Sequence, residues 1–299
     1  MTIHTDDAAA RRGLLLIASA AVLWGTVGIA TRQLYAISAA NPLSIGLFRL
    51  ALAVPVLLLA LRVYHRERFA YTRRDWLAMA SIGLLLAVYQ VCFFSAIPLV
   101  GVAVATLVTL CTAPVLVALL TAATGRERLT RATGVALLCA IVGTVLLSGI
   151  DVGAANGGSQ LAGVLFALGA AFGYALMPIV GRGLGGRSEP LLVNTVAFAS
   201  GALILLPAAA TSGLVVEYPV QGWLLLVYLG VVPSALGYVL FFSGMRSVSA
   251  TTASIVTLAE PLVATVLAWL IFQERLGVLG GVGALLLLGA LTVLFRAAR

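Results

Sequence analysis

Apolar residues run along almost the whole chain, in blocks of about twenty residues broken by short polar or charged stretches. Blocks of that length are what an α-helix needs to cross the hydrocarbon core of a bilayer. The breaks fall at 32–41, 62–75, 97–100, 125–131, 151–160, 182–189, 211–221, 245–249 and 273–276. They predict an all-α integral membrane protein of ten transmembrane helices. The helices are expected at 13–32, 43–61, 76–96, 99–123, 130–149, 160–181, 190–210, 222–244, 248–272 and 277–296. Several breaks are very short, so neighbouring helices should form tight antiparallel hairpins. The first block follows Arg11-Arg12 and contains Ala18-Ser19-Ala20, a pattern similar to a secretory signal. It continues to about residue 30, long enough to span, and is read as an uncleaved first helix.

The blocks repeat. At an offset of 147, Trp76 matches Trp223, Gly83 matches Gly230 and Pro114 matches Pro261. Glu127-Arg128-Leu129 matches Glu274-Arg275-Leu276, and Gly134 matches Gly281. Such self-similarity inside apolar sequence marks a transporter built from two halves. The predicted halves are 1–150 and 151–299, each of five helices, joined by the Gly-, Ala-, Ser- and Asn-rich stretch 151–160.

Composition adds the solvent. Of 299 residues, 62% are hydrophobic and 9% charged, against about 25% charged in a soluble domain. All 18 basic residues are arginine and the net charge is +8. A basic balance can signal nucleic acid, but these arginines gather at the ends of apolar blocks, which is a topology signal. With the N-terminus in the cytoplasm, fifteen arginines fall inside, only Arg32 and Arg275 fall outside, and Arg49 lies within helix 2. The positive-inside rule therefore places both termini in the cytoplasm. Five helices per half is an odd number, so the second copy enters from the opposite side. The two halves are expected as inverted repeats.

Catalytic chemistry finds no support. His4 and His65, the two histidines, both lie outside the spans. The chain has no HExxH, no paired membrane aspartates, no Cys/His cluster and no phosphate-binding Gly-Lys-Ser/Thr loop. Neither an enzyme, nor an ATP-driven pump, nor a cofactor or metal site is predicted. Cys92, Cys111 and Cys139 lie within apolar blocks and are read as packing residues.

The candidate chemistry is therefore within the spans. Arg49 and Glu260 sit well inside predicted helices, where a charge costs about 2.5–3.5 kcal/mol on insertion scales. Each must face protein or a wet cavity. Each either contacts substrate or a coupling proton, or else caps unwound backbone or holds a helix crossing, and the structural role is favoured. Pro114 and Pro261 are expected as helix kinks. Aligning Phe94 with Phe242 sets Gln90 opposite Tyr238, and aligning Gly13 with Gly163 sets Trp24 opposite Tyr174. Tyr89 and Phe93 lie one helical turn apart. Transporters of two halves place their site near the midplane, so Trp24, Tyr89, Gln90, Phe93, Tyr174 and Tyr238 are the expected substrate contacts. Thr106, Thr109, Thr112, Thr251, Thr252, Ser254 and Thr257 are read as helix-packing residues, with Trp76 and Trp223 as interfacial anchors.

These motifs carry a resemblance. Trp24-Gly25, Asn41-Pro42 with Arg49, and the doubled Pro…Glu-Arg-Leu…Gly pattern at 114–134 and 261–281 resemble the EamA-type branch of the drug/metabolite transporter superfamily. Within it the chain is similar to YddG-type bacterial exporters of amino acids. The resemblance covers essentially the whole chain. It implies ten helices, cytoplasmic termini and a central cavity open alternately to either side. It also implies Glu127 and Glu274 at helix-end turns. The leading expectation is an inner-membrane secondary transporter exporting small metabolites, amino acids first among them, aromatic ones included. Alternatives are a nucleotide sugar, sugar phosphate or drug-like cation, or a non-transport membrane scaffold. A phosphate-bearing substrate would want several basic groups in the cavity, and only Arg49 is available. The expected partners are a small-molecule substrate and lipid. A monomer suffices to enclose a pathway, with a homodimer as the alternative.

Overall fold

The structure, a computed structural model, describes residues 3–64, 71–123, 131–148, 157–181, 184, 189–247, 253, 256–257 and 259–297. Glu127-Arg128-Leu129, Thr251, Thr252, Ser254 and His65 lie outside the described residues. The elements are α1 (Ile3–Gly25), α2 (Val27–Ile37), α3 (Pro42–Tyr64), α4 (Arg73–Ala123), α5 (Arg131–Ser148) and α6 (Gly157–Gly181). They continue with α7 (Pro190–Thr211), α8 (Val220–Leu229), a π-helical stretch (Gly230–Leu236), α9 (Gly237–Met245), α10 (Ala259–Phe272) and α11 (Val278–Ala297). No strand occurs among the described residues. Six helical stretches there are long and apolar enough to cross a membrane, and three shorter apolar helices accompany them. Leu59, Val63, Leu203, Leu224 and Leu285 are each more than 60% exposed. An apolar surface of this kind needs lipid as its solvent.

Three boundaries differ from the sequence expectation, each for a local reason. The first block splits at Thr26, whose hydroxyl donates 2.6 Å to the Leu23 carbonyl and lies 2.7 Å from the Tyr228 hydroxyl. The helix then resumes and runs to Ile37, past the predicted stop at 32. The next helix begins where Asn41 caps it. The Asn41 Oδ1 accepts from the Ser44 N–H at 2.8 Å, and Pro42 fills the first helical position, where a missing N–H costs nothing. The Asn41 amide also donates 2.8 Å to the Gly213 carbonyl, tying this cap to the loop before α8.

The third difference is in α4. Its 51 residues would make about 77 Å of helix, more than twice the hydrocarbon thickness. The sequence places a break at 97–100. The backbone instead stays helical through Pro98 and breaks at Gly101, with φ 82° and ψ 168°. That region of backbone space is open to glycine almost alone. The Glu274 carboxylate closes the break, accepting 3.1 Å hydrogen bonds from the N–H groups of both Val102 and Ala103. It neutralises two donors that a helix start leaves without intrahelical partners, at the positive end of the helix dipole. Glu274 thus holds a helix-end turn, as the family resemblance implies. Gly101 is also the non-helical residue inside α4, whereas Pro114 lies further along in helical backbone.

By contact the chain divides into two compact units, Met1–Ala87 with Gly183–Ala264, and Val88–Arg182 with Thr265–Arg299. Each unit draws segments from both sequence halves. In the first, α3 packs on α7 and on the π-helical stretch, and α1 packs on α9. Two glycines allow close approaches between helices. A Cβ on Gly83 would lie 2.5 Å from the Ala197 carbonyl oxygen and 2.9 Å from the Gly201 nitrogen, and would strike the Ser200 hydroxyl. A Cβ on Gly230 would lie 3.1 Å from the Arg49 carbonyl oxygen, 2.7 Å from Leu52 and 3.3 Å from the Ala53 nitrogen. Gly230 follows Gly83 by 147, and Ala197, Ser200 and Gly201 follow Arg49, Leu52 and Ala53 by 148. The two crossings are thus made by matching residues.

In the second unit α5 pairs with α11, and Gly143 and Gly283 bring their backbones together. The Thr109 hydroxyl donates 3.1 Å to the Ala167 carbonyl, joining α4 to α6 as expected of these threonines. Ala113, Ala171 and Ala175 form a buried core there, with Leu116 packed against it.

Candidate functional site

The first unit holds the two charged residues within the predicted spans, Arg49 and Glu260. Pro233 lacks the N–H that a helical ladder needs, and the chain from Gly230 to Leu236 widens into a π-helix. The Ser234 hydroxyl donates 2.7 Å to the Leu229 carbonyl, five residues back. It accepts 2.8 Å from Arg49 Nε. Arg49 is 7% exposed, so this bond fixes a buried guanidinium through one of its five N–H donors. Glu260 and Tyr238 both lie within electrostatic reach of Arg49. Arg49 and Glu260 are neighbours in the electrostatic sense.

Trp24 stands at the end of α1 against the same residues. Its ring lies 5.1 Å from Tyr238 and 5.3 Å from Phe241. A Cβ on Gly237 would lie 2.7 Å from Trp24 Nε1, so the absent side chain is what admits the indole. Next in sequence, a Cβ on Gly25 would lie 2.9 Å from the Glu260 carbonyl oxygen and 2.8 Å from the Val263 side chain. The Trp24-Gly25 and Glu260-Pro261 motifs are thus one contact. Pro261 is buried at the start of α10. Tyr238 also meets Phe198 at 5.6 Å, edge to face, and stacks on Phe242 at 6.0 Å. Phe198 was not legible as a site residue, because an apolar ring in an apolar helix gives no local signal.

The second unit holds the other expected residues. Tyr89 stacks on Phe93 at 5.9 Å and meets Tyr174 at 5.4 Å. Gln90 beside them is 1% exposed, and Tyr174 is 39% exposed. The six expected contacts therefore fall into two groups, Trp24 with Tyr238 in one unit, and Tyr89, Phe93 and Tyr174 with neighbouring Gln90 in the other.

The two groups match position by position. Tyr174 follows Trp24 by 150, and Gly237 and Phe241 follow Tyr89 and Phe93 by 148. Trp24 on Gly237 thus corresponds to Tyr174 on Tyr89. Gly25 against Glu260 and Val263 corresponds to Ala175 in the core formed with Ala113 and Leu116. The chemistry does not match. Arg49 corresponds to Ala197 and Glu260 to Ala113, so this pair of charges belongs to one group alone.

A small cavity lies in the first unit, lined by Glu189, Leu191, Val239, Phe242, Ser243 and Arg246, with an internal volume near 10 Å³. That is room for about one water molecule. No cluster of His, Cys, Asp or Glu able to hold a metal occurs among the described residues.

The chain is 30% identical, over 283 residues, to the uncharacterized transporter YwfM of Bacillus subtilis, covering 93% of this chain and 92% of that one. It is 28% identical over 134 residues to an uncharacterized transporter of Archaeoglobus fulgidus, covering 45% of this chain and 48% of that one. A solved crystal structure superposes with a TM-score of 0.65 at 22% identity, over 96% of this chain and 98% of its own length, which speaks for the fold alone. The EamA-like transporter family matches twice, at residues 11–149 and 161–296. With nearly the whole length accounted for, the chain belongs to the EamA-like transporter family and is a multi-pass membrane transporter of small molecules.

Proposed function

We infer that the protein is a secondary transporter of a bacterial inner membrane that exports small metabolites, amino acids above all, by alternating access. One observation carries this reading. Two glycine crossings, Gly83 on 197–201 and Gly230 on 49–53, are made by residues 147 and 148 apart. Two copies of one five-helix unit, inserted in opposite senses, give two packings of nearly equal energy, and such a pair lets a binding site open to each side in turn. The halves are 1–150 and 151–299, close to the two family matches. The helix count is ten. Each aromatic group is a substrate-contacting surface: ring faces with a few hydrogen-bonding tips suit varied amino-acid side chains at loose affinity. A phosphate-bearing substrate is disfavoured, since Arg49 is the buried basic residue among those described. The transport unit is a monomer.

Liposomes containing the purified protein and loaded with a labelled mixture of the twenty L-amino acids test the reading. Efflux faster than from protein-free liposomes is expected for several of them. Efflux equal to the protein-free rate for every amino acid would overturn amino acids as the substrate. Orientation is tested separately by single-cysteine labelling in intact cells. The arginine bias predicts that an impermeant thiol reagent reaches positions in 151–160 and 211–221 but not position 68. External labelling at 68 would reverse the assignment.

A further inference from the structure

The indole N–H of Trp24 is fully enclosed and has no hydrogen-bond partner. A buried donor left unmatched is costly and calls for an acceptor that arrives from elsewhere. Tyr238 is in ring contact with Trp24, and Tyr238 in turn lies within electrostatic reach of Arg49 and Glu260. Glu260 is also placed by its own backbone, whose carbonyl meets Gly25 beside the indole. Donors and one carboxylate thus share a short stretch of the first unit.

The crossing does not itself demand these charges. Its counterpart at Gly83 uses Ala197 where Arg49 stands, and approaches more closely, 2.5 Å against 3.1 Å to the matching carbonyl oxygen. The counterpart of Glu260 is Ala113, in a core of alanines. An ion pair in an apolar medium is commonly no more stabilising than apolar residues of the same volume. A purely structural pair would also leave the Trp24 N–H unexplained.

We propose that Trp24, Arg49 and Glu260 recognise the two charged groups of a zwitterionic α-amino acid. The Trp24 N–H and the Arg49 guanidinium receive the α-carboxylate, and the Glu260 carboxylate receives the α-ammonium. The opposite charges of Arg49 and Glu260 match the adjacent opposite charges of the ligand, and the side chain is left to the aromatic rings. This assignment rests on the transport reading above and narrows its substrate to molecules carrying both groups.

The test uses protein-containing liposomes and three forms of one probe: L-phenylalanine, phenethylamine, which lacks the carboxylate, and N-acetyl-L-phenylalanine, which lacks the ammonium. A fourth arm carries a neutral sugar and a quaternary ammonium ion. Wild-type protein should move L-phenylalanine at least about tenfold faster than either truncated form, the factor that ~1.4 kcal/mol confers. Trp24→Phe keeps an aromatic ring, smaller than the indole, and removes the N–H. It should raise the KM for L-phenylalanine by about tenfold, and that for phenethylamine by clearly less. Should Trp24→Phe not be recovered folded, Glu260→Gln serves instead, and should close the gap between L-phenylalanine and its N-acetyl form. Equal rates for the three forms in wild-type protein would overturn the assignment while transport stands. So would a Trp24→Phe protein slowed in the same proportion for all three. Movement of the sugar or the quaternary ammonium ion without L-phenylalanine would have the same meaning. No movement in any arm would overturn the amino-acid reading as well.

Discussion

Gly83→Ala should lower the thermal stability of the detergent-purified protein more than the same change at any other matched glycine. The new methyl would stand 2.5 Å from the Ala197 carbonyl oxygen and 2.9 Å from the Gly201 nitrogen. Both are backbone atoms, which cannot swing away as a side chain tip can. Relief would need α4 and α7 to separate, and a membrane gives little to replace the lost packing, because lipid is as apolar as the interface. Overpacking of this kind costs about 1–3 kcal/mol. Gly134→Ala is the control, since a Cβ there meets nothing within 4 Å. In helical backbone it should be neutral or slightly stabilising, by up to about 1 kcal/mol. The midpoint of thermal aggregation, measured on both variants at equal yield, separates them. A Gly83→Ala midpoint equal to that of Gly134→Ala would mean that α4 and α7 do not cross as closely as described.

This contrast also measures how far the sequence could be read. The offset of 147 picked out Gly83 with Gly230 and Gly134 with Gly281 as equals. The first pair makes two backbone crossings; Gly134 and Gly281 each face open space. Periodicity reports that two copies share a residue, not what surrounds it. Segment length and apolarity placed most helices well, because burying unpaired backbone in lipid leaves a chain little choice but helix. The breaks were read less well. A glycine at φ 82° is needed for the turn inside α4, yet proline drew the attention, since proline announces itself locally and a positive φ does not.

The site was legible in part for the same reason. Trp24 and Tyr238 belong together, as do Tyr89, Phe93 and Tyr174; symmetry arithmetic named Trp24, Tyr174 and Tyr238, and helical-turn spacing named Tyr89 and Phe93. Symmetry paired Trp24 with Tyr174 and Tyr238 with Gln90 as equivalents, and each equivalent lies in the other group. What the sequence could not display is the unmatched Trp24 N–H, or the Arg49 bond to a serine held on a π-turn. Both depend on the direction of a side chain and on an irregular ladder, which no spacing rule encodes.

Glu274→Ala is expected to loosen the start of the second helical segment of α4, and its coupling to Gly101 gives the sharper test. Glu274 accepts from two consecutive N–H groups, Val102 and Ala103, at 3.1 Å each. Charged acceptors at a helix N-terminus are worth more than neutral ones, so Glu274→Gln should retain part of the stability and Glu274→Ala the least. Leaving two part-buried donors unmatched costs about 1–3 kcal/mol for each. Gly101→Ala carries two separate penalties. Its backbone lies in a region costing roughly 1–3 kcal/mol for a residue with a Cβ, and that Cβ would stand 3.0 Å from the Glu274 carboxyl carbon and both its oxygens. Only the second penalty depends on Glu274. Adding Gly101→Ala to the Glu274→Ala protein should therefore cost less than adding it to wild type, with a coupling of about 0.5–3 kcal/mol, the range seen for residues in contact. Thermal midpoints of the four proteins in one detergent give this coupling directly. Strict additivity would mean that the Glu274 carboxylate does not sit on the Gly101 turn. The Glu-Arg-Leu motif of the second half would then need another explanation.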